Sequence, residues 1–288
     1  MKRTGFLYRD KSAFLVSFIG MIMTSKIEGE PMKKITFLNL YRAGKVVFEN
    51  ELLIHFHAPG AKLLYDYNHI QFKRMPSVPE FILAEKYLKE FHFRHRQNHL
   101  KFCFPENAPL PSGMIEYLNS SGYGNCLMEL YGINPGQFPK TDVVPEISIQ
   151  AVSEEQLKTY LDFEYEQDIQ FGTGFAEEKQ GHYKRSFQDN SNLHLLAYYQ
   201  GIPAGSVVVI ISEDTAELDN LIVLESLRNK GIGSRLQQYA MEHFADKIII
   251  LAADGYDSAR EMYQKQRYQL LGYRYEVLKI CERDPRNK

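Results

Sequence analysis

Cysteine is scarce in this chain, with three in 288 residues: Cys103, Cys126 and Cys281, none in CxxC spacing. An odd count without paired spacing argues against a disulfide framework and suits a reducing, cytoplasmic setting. Charge of one sign is also lacking. The formal net charge is −2 and no long basic run occurs, so nucleic acid is not an expected partner. The apolar run from Ala13 to Met23 is too short to span a bilayer. It follows Lys2, Arg3, Arg9 and Lys11 in the outline of a signal peptide, yet no small-residue cleavage site comes after it. Residues 1–33 therefore read as a leader ahead of Met32-Lys33-Lys34, and no membrane partner is expected. Of nine histidines, His92 and His95 fall on one helix face, but no cysteine or carboxylate stands in register with them, so no metal site is expected.

What is present is a globular composition, 44% apolar and 24% charged. The pattern implies an α/β (α+β) chain of two mixed-sheet domains, 34–138 and 147–288, joined by a linker at 139–146 in a Pro- and Gly-punctuated stretch. In the first unit, strands are expected at 35–41, 52–57, 63–72, 100–104 and 123–131, with helices at 79–93 and 111–120. The second begins with a helix from Ser153, where Gln156 three residues on suggests a capping box. After Gly172-Thr173-Gly174 comes a helix at 177–187, then strands at 193–199, 205–212 and 215–223. A helix at 233–244, a strand at 247–252, a helix at 258–266 and a strand at 273–279 complete the unit. The halves repeat each other weakly: Asp66-Tyr67-Asn68-His69-Ile70 resembles Leu218-Asp219-Asn220-Leu221-Ile222, and similar elements follow each, which suggests a duplicated fold.

The segment Arg228-Asn229-Lys230-Gly231-Ile232-Gly233-Ser234 sits between an apolar strand and an amphipathic helix. Glycines let the backbone approach a ligand closely, and amides at a helix start face an anion with the positive dipole end behind them. The third glycine of a dinucleotide fingerprint and the Gly-Lys-Ser/Thr of a P-loop are both missing. On strand parity, Glu217 and Asp219 point to one side of the sheet and are the candidate bases, Glu217 first. Glu178 and His182 are more distant alternatives that could touch substrate. Phe171-Gly172-Thr173-Gly174-Phe175 reads as a mobile loop beside the acceptor.

Arg228-x-x-Gly231-x-Gly233, followed by the helix Ala259-x-x-x-Tyr263 and then Tyr268, resembles the GNAT superfamily of N-acetyltransferases over about 147–280. Two departures are plain: Arg267 stands where the family usually has glycine, and Tyr256 where it often has asparagine. The resemblance implies acetyl transfer from acetyl-CoA to a primary amine of a small molecule or peptide. It places the pyrophosphate on Arg228 to Ser234 and the pantetheine arm on the backbone of Leu221, Ile222 and Val223. Tyr263 would protonate the departing thiolate, since a tyrosine hydroxyl can donate as charge develops.

At the equivalent loop the first half reads Arg74-Met75-Pro76-Ser77-Val78-Pro79-Glu80, with no glycine and two prolines that remove amide donors. Leu118 stands at the place of Tyr263. The first half is thus a degenerate GNAT-like unit serving as scaffold, homodimer surface or acceptor-site wall, and one acetyl-CoA per chain is expected. Two other readings stay open: a non-catalytic acyl-CoA-binding or sensing module, and a tandem GNAT-fold aminoacyl transferase.

Overall fold

Long β-branched and aromatic runs give this chain its strands, and in the computed structural model they assemble into a single mixed sheet of eleven. The structure describes residues 35–141, 143–256 and 259–281, so the expected leader lies outside it. The first half supplies β1 (Lys45–Glu49), β2 (Leu53–His57), β3 (His69–Phe72), α1 (Val78–Arg94), β4 (His99–Cys103), α2 (Ser112–Ser120) and β5 (Gly124–Ile133). The second supplies β6 (Ile147–Ala151), α3 (Leu157–Asp168), α4 (Thr173–Phe187), β7 (Asn192–Tyr199), β8 (Ile202–Ile211), β9 (Thr215–Val223), α5 (Ile232–His243), β10 (Ile248–Asp254), α6 (Ala259–Lys265) and β11 (Gln269–Ile280). From β1 to β5 and from β7 to β11 the element order is the same. The elements β6, α3 and α4 have no counterpart among the described residues of the first half.

The halves do not sit side by side. Strand order is β1-β2-β3-β4-β11-β5-β10-β9-β8-β7-β6, so the last strand of each half is inserted into the other. At the centre, β5 and β11 run antiparallel with Leu127 opposite Tyr275, flanked by Cys126 opposite Glu276 and Met128 opposite Arg274. That arrangement is the one a pseudo-twofold axis through the Leu127–Tyr275 pair produces. It joins the halves through backbone hydrogen bonds rather than through a side-chain interface alone.

Apolar clusters mark two faces. One carries α1 over Ile70, Phe72, Leu100 and Phe102, and α5 over Val207, Val209, Leu218 and Leu251. The opposite face is covered by α3 and α4 around Tyr160, Tyr183, Leu196 and Ile222, and by a strap in which Ile35, Phe37 and Leu40 lie on Met128, Leu130 and Ile250.

Several expected boundaries change for identifiable reasons. The run at 35–41 is no strand: Thr36 and Asn39 form a capping box around a short 3₁₀ turn, Phe37–Asn39. The expected strand at 63–72 shrinks to β3, because the Asn68 side chain binds the carbonyls of Ala61 and Leu64 and receives the amide of Ala58, folding the preceding residues into a loop. Ser153 does bond Gln156, through its amide, yet regular helix begins only at Leu157. The helix expected at 177–187 starts earlier, at Thr173, after Gly172 at φ 105°. The stretch 171–175 is therefore partly helix rather than a loop throughout. His92 is buried at the foot of α1, with Nδ1 2.6 Å from the His99 carbonyl oxygen, rather than on a solvated helix face. Among the described residues no helix is long and apolar enough to cross a membrane, and no group of histidine, cysteine and carboxylate could hold a metal ion.

Candidate active site

The site is built on a strand that leaves its neighbour. Strand β9 pairs with β10 in parallel only at Thr215, Ala216 and Glu217. From Leu218 to Val223 its strand pairing is with β8, past the last pair with β10. The departure coincides with a bulge. Register shifts between Ser206 and Val208 on β8, opposite Asn220 at φ 53°. Glycine is required at 205, because a Cβ there would lie 2.7 Å from the carbonyl oxygen of Ile222. Leu221, Ile222 and Val223, the expected pantetheine contacts, all lie past the last β9–β10 pair.

A buried polar network holds the bulge. Glu164 accepts hydrogen bonds from Ser206 Oγ at 2.5 Å and Asn220 Nδ2 at 3.0 Å. Asn220 also reaches the Tyr183 hydroxyl at 3.1 Å, which donates to Asp168 at 3.0 Å. Burial pushes the Glu164 carboxyl up to about 7, against the Ser206 hydrogen bond that favours its charged form. No local pattern in the sequence marks these residues, which meet from α3, α4, β8 and β9.

The end of β9 leads to the start of α5. Gly231 takes the left-handed conformation (φ 86°) that glycine adopts without strain, and Asn229 precedes it at φ 63°. The helix has no capping side chain and no acidic residue in its first turn. The amides of Ile232, Gly233 and Ser234 therefore find no acceptor within the helix. Two cations stand by: Arg228, exposed and 3.8 Å from Glu225, and Lys230, 5.3 Å from the Tyr199 ring centre. Backbone donors, a positive helix end and nearby cations form a set that fits a diphosphate.

The two candidate carboxylates have different surroundings. Glu217 is buried, and Oε2 accepts the amide of Tyr41 in the strap at 2.6 Å. Asp219 lies past the last β9–β10 pair and lines a cavity of about 60 Å³ on the strap face. The other lining groups come mostly from the first half. Lys101 is paired with both Asp66 and Glu276, at 2.8 Å from the latter, and Arg274 binds Glu276 at 2.5 Å. Burial alone would raise the Glu276 carboxyl, but Lys101 and Arg274 hold it well below the ordinary carboxylate range. Glu178 and His182 are spent on the interface between halves. Glu178 accepts the amides of Leu63 and Leu64 at 2.6 and 3.2 Å, and His182 Nε2 lies 3.1 Å from the Tyr67 hydroxyl. Tyr263 is on the opposite face, packed at ring distances of 5.3 Å from Tyr131 and 5.4 Å from Tyr268.

Residues 154–268 match the Acetyltransferase (GNAT) family, and residues 35–131 match a domain of unknown function (DUF5613). A functionally unknown conserved protein from Staphylococcus epidermidis is 30% identical, with a TM-score of 0.78 over 86% of this chain and 99% of that one. A GCN5-related N-acetyltransferase from Kribbella flavida is 14% identical (TM-score 0.54, 81% of this chain and 88% of that one). Another from Sphaerobacter thermophilus is 13% identical (TM-score 0.52, 80% of this chain and 81% of that one). No curated protein matches. At 80% coverage the shared fold extends beyond the second half, as a tandem architecture requires. By family match residues 154–268 are a GNAT acetyltransferase domain, and the chain as a whole shares the fold of GCN5-related N-acetyltransferases.

Proposed function

We propose that the protein transfers an acetyl group from acetyl-CoA to a primary amine by direct attack within one ternary complex. The observation that carries this reading is the end of β9–β10 pairing at Glu217, with β9 running on to a start of α5 that no side chain caps. When bound, acetyl-CoA supplies an activated thioester, so the protein needs no covalent intermediate of its own. The amides of Ile232, Gly233 and Ser234, with Arg228 and Lys230, hold the pyrophosphate, and Asn229 and Gly231 shape the turn. The backbone of Leu221, Ile222 and Val223 hydrogen-bonds the pantetheine arm. Asp219 takes precedence over Glu217 as the carboxylate that meets the amine, because it lines the cavity while Glu217 is engaged with the strap. An amine is protonated near neutral pH, so it must lose a proton before it attacks, and Asp219 is placed to accept it. Glu164 is a positioning residue that fixes the bulge through Asn220. Tyr263 donates the proton that the departing thiolate takes up.

The test is thiol release from acetyl-CoA in the presence of polyamines, amino acids, aminoglycosides and peptide N-termini. Amine-dependent release that falls in Asp219→Asn and Tyr263→Phe, with CoA binding retained, supports the reading. Tight CoA binding with no transfer to any amine would overturn it in favour of an acyl-CoA-binding module. Salt-sensitive tRNA binding would favour the aminoacyl transferase instead.

A further inference from the structure

The pseudo-twofold that relates the halves also shows where their side chains part company. Centred on Leu127 and Tyr275, it carries Glu129 onto Val277 and Tyr131 onto Lys279. The short helices α2 and α6 correspond as well. Gly122 and Arg267 both follow them at positive φ, 74° and 66°. The next amide then bonds back to the carbonyl of Leu118 in one half and of Tyr263 in the other. In that register Ile115 stands for Arg260 and Leu118 for Tyr263. Under α2, Ile115, Leu118 and Val277 pack together in one apolar cluster. At the same three places α6 and β5 hold Arg260, Tyr263 and Glu129. A valine serves one half at this position, so the fold itself does not demand a carboxylate there.

Glu129 is buried, and a buried carboxylate is costly unless its oxygens are paired. Tyr131 Oη donates to its Oε2 at 2.5 Å, and Arg260 Nη1 lies 3.7 Å from its Oε1. Burial and the bond to Glu129 push the Tyr131 hydroxyl well above its ordinary range, so it stays protonated and keeps donating. The Tyr131 ring, held in this way, lies 5.3 Å from that of Tyr263, which also meets Tyr268 at 5.4 Å. Arg260 stands three residues before Tyr263 on α6, a helix of seven residues. One carboxylate thus reaches both the ring beside Tyr263 and the helix that bears it. Resting on the acetyl-transfer reading above, we infer that Glu129 and Tyr131 are positioning residues for the Tyr263 hydroxyl. The first half then contributes to proton donation through β5, its strand inserted beside β10.

The experiment is a double-mutant cycle on the full-length protein, with acetyl-CoA and the best amine of the panel above. Glu129→Gln and Tyr131→Phe are assayed alone and in a Tyr263→Phe background, with CoA affinity measured by calorimetry. Tyr131→Phe keeps the ring and removes only the hydroxyl, so it completes the cycle should Glu129→Gln fail to fold. Each should lower kcat about tenfold alone and less than about twofold in the Tyr263→Phe background. CoA affinity should stay within about twofold of wild type. Equal losses in both backgrounds, or no loss in the single variants, would overturn the inference while leaving acetyl transfer intact. A Tyr263→Phe variant that turns over at the wild-type rate would overturn it too. If the wild type acetylates nothing, the acetyl-transfer reading fails and hydrogen exchange on the CoA-loaded protein decides the placement. Exchange in α6 about tenfold faster in the two variants than in wild type supports it, and unchanged exchange overturns it.

Discussion

Two helices begin at equivalent places in the two halves, and they begin in opposite ways. Helix α1 starts with Ser77 and Glu80 in a capping box, and Glu80 also binds Arg74 at 2.6 Å. A carboxylate of the chain itself thus occupies the positive end of that helix, while Pro79 removes an amide donor. Helix α5 starts at a left-handed glycine with neither cap nor acid in its first turn. The first arrangement stabilises a helix; the second leaves donors for a ligand. Duplicated folds can therefore divide labour by what fills one helix start, and under the proposed function the half without the anion site serves as a wall of its neighbour's pocket.

The largest expected effect tests the wall. Replacing Lys101 by methionine takes the ion-pair partner from Asp66 and leaves Glu276 with Arg274 alone, which should cost about 3 kcal/mol in denaturant unfolding. An unchanged midpoint would show that the first half tolerates the loss of that charge and is not held by it. Next in size is a conversion of one helix start into the other. Gly231→Asp puts a carboxylate at the start of α5, as Glu80 does at α1, and should weaken CoA binding by about 100-fold, or ~2.7 kcal/mol. Retained affinity would mean that the phosphate is bound elsewhere.

Much of this was legible in the chain, and the reasons are physical. The expected bounds of β9 are those of the structure, because a strand between two turn signals and buried on both sides is a local pattern. The turn from Arg228 to Ser234 is equally visible, since glycines announce its backbone shape. The misses are long-range. Strand β1 is exposed along its whole length and shows no alternation, so nothing local marks it. The strap reads as a strand because its apolar residues are buried by β5 and β10, elements far along the chain. Its grip on Glu217 spans 176 positions. Insertion of β5 and β11 into opposite halves has no local signature at all. The same holds for Glu164 and Asn220, whose meeting fixes the bulge.

Acid should separate the halves next. Burial lowers His55 and His69 to about 3 and His92 to about 4, all in the first half. The unfolded chain takes up protons below its pKa of about 6.5 that the folded chain refuses, so stability falls as pH drops from 6.5 toward 4. Each such group removes up to about 1.4 kcal/mol per pH unit. Hydrogen exchange at pH 7 and pH 5 should show protection lost first in β2, β3 and α1. Earlier loss in β7 and β8 would contradict the assignment, since His194 is the one histidine on those two strands. The smallest effect comes from Ser77→Ala, which should cost about 1 kcal/mol of stability as a lost cap and leave CoA affinity unchanged. A change in CoA affinity would place a ligand at α1.

The difference between the two helix starts is tested most directly by counting ligands. Calorimetric titration of the wild-type chain with CoA should give a stoichiometry of one, abolished or strongly weakened by Gly231→Asp. A stoichiometry near two, or one site that survives Gly231→Asp, would contradict the assignment of a single CoA cradle to the second half.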